Sequence, residues 1–198
     1  MSADAAVGEP RAGRPRDPAL DGAILEATLA EFAAHGFAGM AIEGVAARAG
    51  VGKATVYRRY ADKVALVVAA LGRGANLGDE LPDTGDVRAD LRAMLLPLFD
   101  RLRGPDARLL LAFAADRVRH PELGAEFDRV VVGRKREHIH RLLQAAVERG
   151  QLPSDADLDL IAEAGPAMLW HRAHHGLGFP DDLPDRIVRQ LLGPTPLD

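Results

Sequence analysis

The stretch GVAARAGVGKATVYRRY, Gly44 to Tyr60, limits what this chain can fold into more than any other. Its first half is small and apolar; its second half carries Lys53 and then Arg58 and Arg59 between Tyr57 and Tyr60, and Gly50 and Gly52 separate the halves. Ile42, Val45, Ala46 and Ala49 recur at i, i+3, i+4 and i+7, the spacing of one helix face, and Gly50 supplies the left-handed residue that ends a helix cheaply. A second short helix starts at Gly52 and Lys53 and runs to about Tyr57, with Val51 and Val56 inward and Thr55, Arg58 and Arg59 outward. An apolar helix, a turn of about four residues and a short helix with polar residues outward is the helix-turn-helix plan, whose second helix lies in the DNA major groove.

Charge agrees with that plan once it is counted locally. The formal net charge is -4, but charges act over a Debye length of about 8 Å in physiological salt, so the local balance decides. From Gly44 to Lys63 there are Arg48, Lys53, Arg58, Arg59 and Lys63 against Asp62 alone. Thr55 beside Val56 is a poor choice for an exposed short helix, because β-branched side chains lose rotamer freedom there. It is a good choice for contact: threonine offers a hydroxyl to phosphate or base and a methyl to thymine, and arginine forks onto guanine O6 and N7. Tyr57, Arg59 and Lys63 suit phosphate, which holds register without reading sequence.

The rest reads as helices. Asp17 and Pro18 open a run in which Leu20, Ile24, Thr28, Leu29 and Phe32 share a face, stopped by Gly36, and Asp62 is an N-cap for a helix over Val64 to Leu71. Beyond a Gly, Pro, Asp and Asn-rich loop at residues 74–86, helices are predicted over about 87–103, 105–119, 121–149, 155–176 and 184–192. No strand is predicted; the fold class is all-α, with about nine helices. The expected division is a basic arm at 1–16, a helix-turn-helix domain at 17–72 with its motif at about 41–60, a linker at 73–86 and a helical body at 87–198.

The chain has no cysteine, so disulfides, thiolate metal sites and a cysteine nucleophile are all excluded. The first residues lack an apolar signal region, and no apolar run is long enough to span a bilayer, so the expected location is the cytoplasm, on the nucleoid when DNA is bound, with no membrane partner.

The segment AIEGVAARAGVGKATVYRRYADKVAL, Ala41 to Leu66, resembles the DNA-binding domain of the TetR (tetracycline-repressor-like) family of bacterial transcription regulators. The likeness extends back through AILEATLAEFAAHGFAG and covers about residues 17–72; the second half is more weakly similar to a regulatory domain of that family. The resemblance implies a homodimer whose N-terminal domains read a palindromic double-stranded operator, and a C-terminal ligand-binding and dimerisation domain that takes a small-molecule effector and releases DNA. It implies DNA contacts at Lys53, Thr55, Tyr57, Arg58, Arg59 and Lys63, and a core-anchoring role for Tyr60. It implies no cofactor and no catalytic residue. Where the family often has a threonine pair before its second helix, this chain has Met40 and Ala41, so only backbone N–H groups are left there for an anion.

Other residues leave alternatives open. His171 and His175 are four apart on a predicted helix and could share a metal, with His174 between them; this grounds a second hypothesis, an all-α metal-binding protein or enzyme using His171, His174 and His175. The motif lacks the acidic base of a HExxH site. His138 and His140 do not face each other. Pro166 gives the carbonyl of Ala162 no helical partner, so a kink beside Met168, Trp170 and His171 either shapes a ligand cavity or bends a dimer-forming helix. Phe113 and Phe127 either line the same cavity or belong to the core. A third hypothesis is a helix-turn-helix protein that binds DNA without an effector.

Overall fold

The computed structural model describes residues 17–73 and 83–193. The arm expected over residues 1–16, with Arg11, Arg14 and Arg16, and linker residues 74–82 lie outside the described residues.

Helix α1 (Pro18–Gly39) starts where the Asp17 carboxylate accepts from the backbone N–H groups of Ala19 (3.0 Å) and Leu20 (3.4 Å), and Pro18 takes the first position, where no helical N–H is needed. Gly36 breaks it, as its position in the periodic pattern predicts: at φ 65° and ψ 177° it sits in a region essentially closed to other residues. A short turn follows, with the N–H of Met40 bonded to the Gly36 carbonyl at 3.1 Å. Gly36→Ala should therefore lower the free energy of unfolding by about 1–3 kcal/mol in urea denaturation, since a β-carbon forces the strained conformation onto a residue that resists it.

Helices α2 (Ile42–Arg48), α3 (Lys53–Tyr57) and α4 (Lys63–Arg73) complete the N-terminal half. The C-terminal half contains α5 (Val87–Arg103), α6 (Ala107–Arg119), α7 (Pro121–Phe127), a π-helical segment (Asp128–Val132), α8 (Gly133–Glu148), α9 (Leu158–His174) and α10 (Leu183–Leu192). α7, the π segment and α8 follow without a gap, forming the single helical path predicted over 121–149. The fold is all-α, with no strand among the described residues.

Two hydrophobic clusters hold it together. The first gathers Ile24, Phe32, Val45, Val56 and Leu66 from α1 to α4, and also Phe113 of α6, Leu123 of α7 and Val131 of the π segment. The second lies wholly in the C-terminal half and contains Leu91, Phe99, Leu143, Leu169 and Ile187. The path from α7 to α8 thus serves both: Leu123 and Val131 in the first, Leu142, Leu143 and Ala146 in the second. The N-terminal helices are not a separate bead; α1 packs along α6, and α4 along α7.

Helix α9 runs on through Pro166. Its neighbour Gly165 lets α9 close on α5, where a β-carbon would lie 2.9 Å from Leu95 Cδ2.

Candidate nucleic-acid interface

The turn between α2 and α3 is built by backbone geometry. Gly50 is left-handed at φ 68°, the N–H of Val51 bonds to the carbonyl of Ala46 at 2.9 Å, and that of Gly50 to Ala47 at 3.2 Å. This paired closure satisfies two carbonyls that a helix end leaves orphaned, and only a residue tolerant of positive φ can carry it. Gly52 then caps α3 with its own carbonyl, which accepts from Thr55 N–H at 2.8 Å. Ala41 caps α2 without any side-chain bond, so the Met40 and Ala41 positions supply no hydroxyl.

Helix α3 has five residues, too short to be stable alone, so tertiary packing must hold it. Val56 is the pivot: it is 1% exposed and joins the first cluster, with Val51 and Tyr60 packed around it. Burying such a side chain stabilises by about 1.5–3 kcal/mol. With Val56 inward, Lys53, Ala54, Tyr57 and Arg58 are exposed and Thr55 is half-buried. The Arg58 Nη2 donates to Thr55 Oγ1 at 2.9 Å, so the two residues best suited to reading bases form one polar unit on the outer face. The Lys53 ammonium lies 5.7 Å from the centre of the Tyr57 ring, which is 46% exposed.

Two of the predicted contact residues face elsewhere. Arg59, expected outward, turns back: its Nε donates to Asp21 of α1 at 2.5 Å, and its side chain is 16% exposed. It lies one residue past Arg58 on a tight helical turn, which carries it to the side of the helix facing α1. Lys63, expected to hold phosphate, points its Nζ at the carbonyls of Ala38 (3.4 Å) and Met40 (3.3 Å) and lies 4.7 Å from the centre of the Phe37 ring. It thereby ties α4 to the end of α1, and any phosphate contact would have to compete with these carbonyls.

Carboxylates that were not singled out in the sequence also shape the site. Glu31 is buried beneath α2, accepts from Arg48 Nη2 at 3.2 Å and pairs with His35 at 3.1 Å. Gly44 is the residue of α2 that passes over it, since a β-carbon there would meet the Glu31 carboxylate at 2.7 Å. Glu43 pairs with Lys53 across the turn. It lies one residue before the basic stretch, so a charge count starting at Gly44 passes it by.

The Lys53–Glu43 pair sits at the start of the outward helix. The hydrogen bond from Lys53 holds the Glu43 carboxyl below its ordinary 4.5, and Glu43 holds the Lys53 ammonium above its ordinary 10.5. A depressed carboxyl is lost only as pH falls through its folded value, below 4.5, and a raised ammonium only as pH rises through its own, above 10.5, so the pair is intact at neutral pH. A phosphate arriving at Lys53 would share the ammonium with Glu43 and meet its negative charge. Glu43→Gln should therefore tighten binding to any duplex and steepen the dependence of log K on log salt by about 1 for each protomer, measured by anisotropy titration at several salt concentrations.

The residues expected to line an effector cavity are not brought together. The Phe113 and Phe127 rings meet at 4.6 Å with a 55° tilt at the first cluster, whereas Trp170 packs against the second. Met168 and His171 are exposed on α9. These five positions serve two cores and a surface, because α6 and α7 turn them to the first cluster and α9 divides its own between the second cluster and solvent. An apolar cleft does lie beside Pro166, but its walls are aliphatic: Leu91, Leu95, Ile139, Ile161, Pro166 and Leu191. It has about 30 Å³ of space, room for a couple of waters. The His171 and His175 rings lie 4.5 Å apart at a 45° tilt, and no group of three potential metal ligands occurs among the described residues.

A short helix held outward by one buried valine, on a base of three other helices and backed by a larger helical body, defines a helix-turn-helix DNA-binding regulator. Comparison with known proteins agrees over nearly the whole chain. Residues 24–70 match the family model described as bacterial regulatory proteins, tetR family, and residues 81–191 match the tetracyclin repressor-like C-terminal domain. An uncharacterized HTH-type transcriptional regulator of Mycobacterium tuberculosis is 34% identical over 166 residues, covering 82% of each chain. The DNA-binding transcriptional repressor TetR of Mycobacteroides abscessus is 31% identical over 179 residues, 86% of this chain and 90% of its own. The crystal structure of the TetR family transcription regulator SCO0332 superposes with a TM-score of 0.67 at 27% identity, covering 89% of this chain and 99% of that one.

The chain belongs to the TetR family. It is a transcriptional regulator and not an enzyme; regulators of this family bind DNA operators and act as dimers. Nothing favours the metal-binding alternative centred on His171, His174 and His175. No helix among the described residues is long and apolar enough to cross a membrane.

Proposed function

We propose that this protein is a homodimeric repressor whose two copies of α3 enter successive major grooves of a palindromic operator, and that a small molecule bound in the C-terminal half releases it. Residues 17–72 are the DNA-reading domain and 87–198 the regulatory and dimerisation domain, joined by a linker over 73–86. The observation that carries this is the outward Thr55–Arg58 unit on a helix anchored by Val56. Thr55 and Arg58 read bases; Lys53 and Tyr57 hold phosphate; Arg59 and Lys63 brace the reader from behind, with Lys63 within reach of the backbone once DNA is bound. The protein works in the cytoplasm, on the nucleoid when bound.

Dimerisation is supported by the outer face of α9, where Leu160, Met168 and His171 recur at helical spacing and are exposed. The effector is an apolar small molecule admitted to the aliphatic cleft beside Pro166, which must widen to hold it, because ligand pockets usually enclose about 300–1,000 Å³. By binding one arrangement better than the other it lowers operator affinity, typically by a coupling of about 1–3 kcal/mol.

The test is capture of genomic fragments on the purified protein, followed by sequencing and footprinting. The expected result is a protected two-fold site with half-sites one helical turn, about 34–36 Å, apart. Protection of a single half-site, or of no preferred sequence, would sink the dimeric reading. Addition of cell metabolite fractions to the footprinted complex separates an effector-released repressor from an effector-independent binder.

A further inference from the structure

One strong polar contact between the two halves lies at the edge of the first cluster, away from the outward face of α3. Asp116, near the end of α6, is buried at 9% exposure, and its Oδ2 accepts from the backbone N–H of Phe37 at 2.7 Å, across 79 residues of sequence. Charge-assisted bonds of this length are among the stronger hydrogen bonds a protein makes. The other oxygen is not well paired: the nearest cation, Arg119 Nη1, is 3.6 Å away on a side chain that is mostly exposed.

The donating residue is held from three sides. Phe37 is buried, its ring lies 4.9 Å from that of His120 just past the end of α6, and the Lys63 ammonium of α4 sits over it at 4.7 Å. The carboxylate can come this close because residue 36 is glycine: a β-carbon there would stand 3.2 Å from Asp116 Oδ2. The turn so gripped runs through Met40, whose carbonyl Lys63 also takes, directly into α2. α2 in turn carries the glycine turn that places α3. A shift of α6 along its axis must therefore either drag the start of α2 or break the bond to Phe37.

We propose that Asp116 is a positioning residue for operator binding: its carboxylate fixes the Gly36–Met40 turn to α6, and so sets the angle at which α3 is presented to DNA. The regulatory half then acts on DNA through this turn as well as through α4. This rests on the reading of α3 as the operator-reading helix.

The experiment compares the full-length protein with Asp116→Leu, which keeps size and burial but removes the acceptor, and Asp116→Asn, which keeps a carbonyl oxygen. Operator affinity is measured on the footprinted duplex, non-specific affinity on a scrambled duplex of the same length, and hydrogen exchange at the Phe37 amide. Asp116→Leu should weaken operator binding by about tenfold, within the usual range of coupling between sites, while scrambled-duplex affinity stays unchanged. Phe37 should exchange slowly in the parent protein and fast in the leucine variant, and Asp116→Asn should restore both properties nearly to the parent level.

Equal operator affinity in the parent and the leucine variant overturns the proposal, as does parallel loss on both duplexes, which marks general destabilisation. If the leucine variant does not fold, the other two readouts decide: a rapidly exchanging Phe37 amide in the parent, or a folded asparagine variant with lost operator affinity, counts against it. A parent protein without operator preference overturns both this proposal and the reading of α3, whereas a selective parent matched by its leucine variant overturns this proposal alone.

Discussion

Phe32→Ala should lower the free energy of unfolding by about 3–5 kcal/mol, a large share of the 5–15 kcal/mol that holds most domains folded. Phe32 is 1% exposed in the middle of α1, on the apolar face that Leu20, Ile24, Thr28 and Leu29 share. Its cluster is the one that takes Phe113, Leu123 and Val131 from the C-terminal half, so the cavity is felt on both sides of the contact. The chain has one tryptophan, and Trp170 packs against the other cluster, which gives a separate probe of the far half. Urea unfolding followed by helical circular dichroism and by Trp170 fluorescence should shift together to lower denaturant. Fluorescence that keeps its parent midpoint while the dichroism splits into two steps would show that the halves unfold independently, contrary to the shared cluster.

The second large effect is on selectivity. Arg58→Ala should cost about 1–3 kcal/mol of discrimination at one base position in each half-site, a factor of roughly 5–150, and leave the preference at the other positions close to that of the parent. The reason lies in the free protein: Arg58 is already held on Thr55 Oγ1 at 2.9 Å, so its fork is partly oriented before DNA arrives. Arg59→Ala should behave differently despite being adjacent, because the Asp21 pair braces α3 against α1: all duplexes weaken alike, and stability falls with them. Competition gel shifts with single-base variants of the footprinted operator separate the two patterns. Uniform loss across every variant for Arg58→Ala would remove it from base reading.

The helices were legible in the sequence because apolar spacing and glycine carry local information. Ile42, Val45 and Ala46 are buried as their spacing requires, and Gly36 and Gly50 take positive φ where the chain must turn. The positions of Val51 and Val56 against the core were legible from the same local pattern, and that of Tyr60 from the family resemblance. Partners supplied from a distance were not. Nothing in the wheel of a five-residue helix says that Asp21 waits beside Arg59, and nothing around Lys63 says that the carbonyls of Ala38 and Met40 face it. Aromatic residues did not foretell the apolar cleft: Phe113 and Phe127 pack with the first cluster, and the cleft beside Pro166 is lined by aliphatic side chains and Met94. The Asp116 bond to Phe37 spans 79 residues and leaves no local pattern at all.

The π segment at Asp128–Val132 is where one helical path changes the core it serves, from Leu123 and Val131 to Leu142, Leu143 and Ala146. An α-helix advances about 100° per residue, so one surplus residue wound into a wider turn rotates everything after it by roughly that angle. The chain length between Pro121 and Glu148 therefore behaves as a phase setting: deleting a single residue in the wide turn should swing the α8 leucines out of their socket, whereas swapping its exposed side chain, Arg129, should scarcely matter.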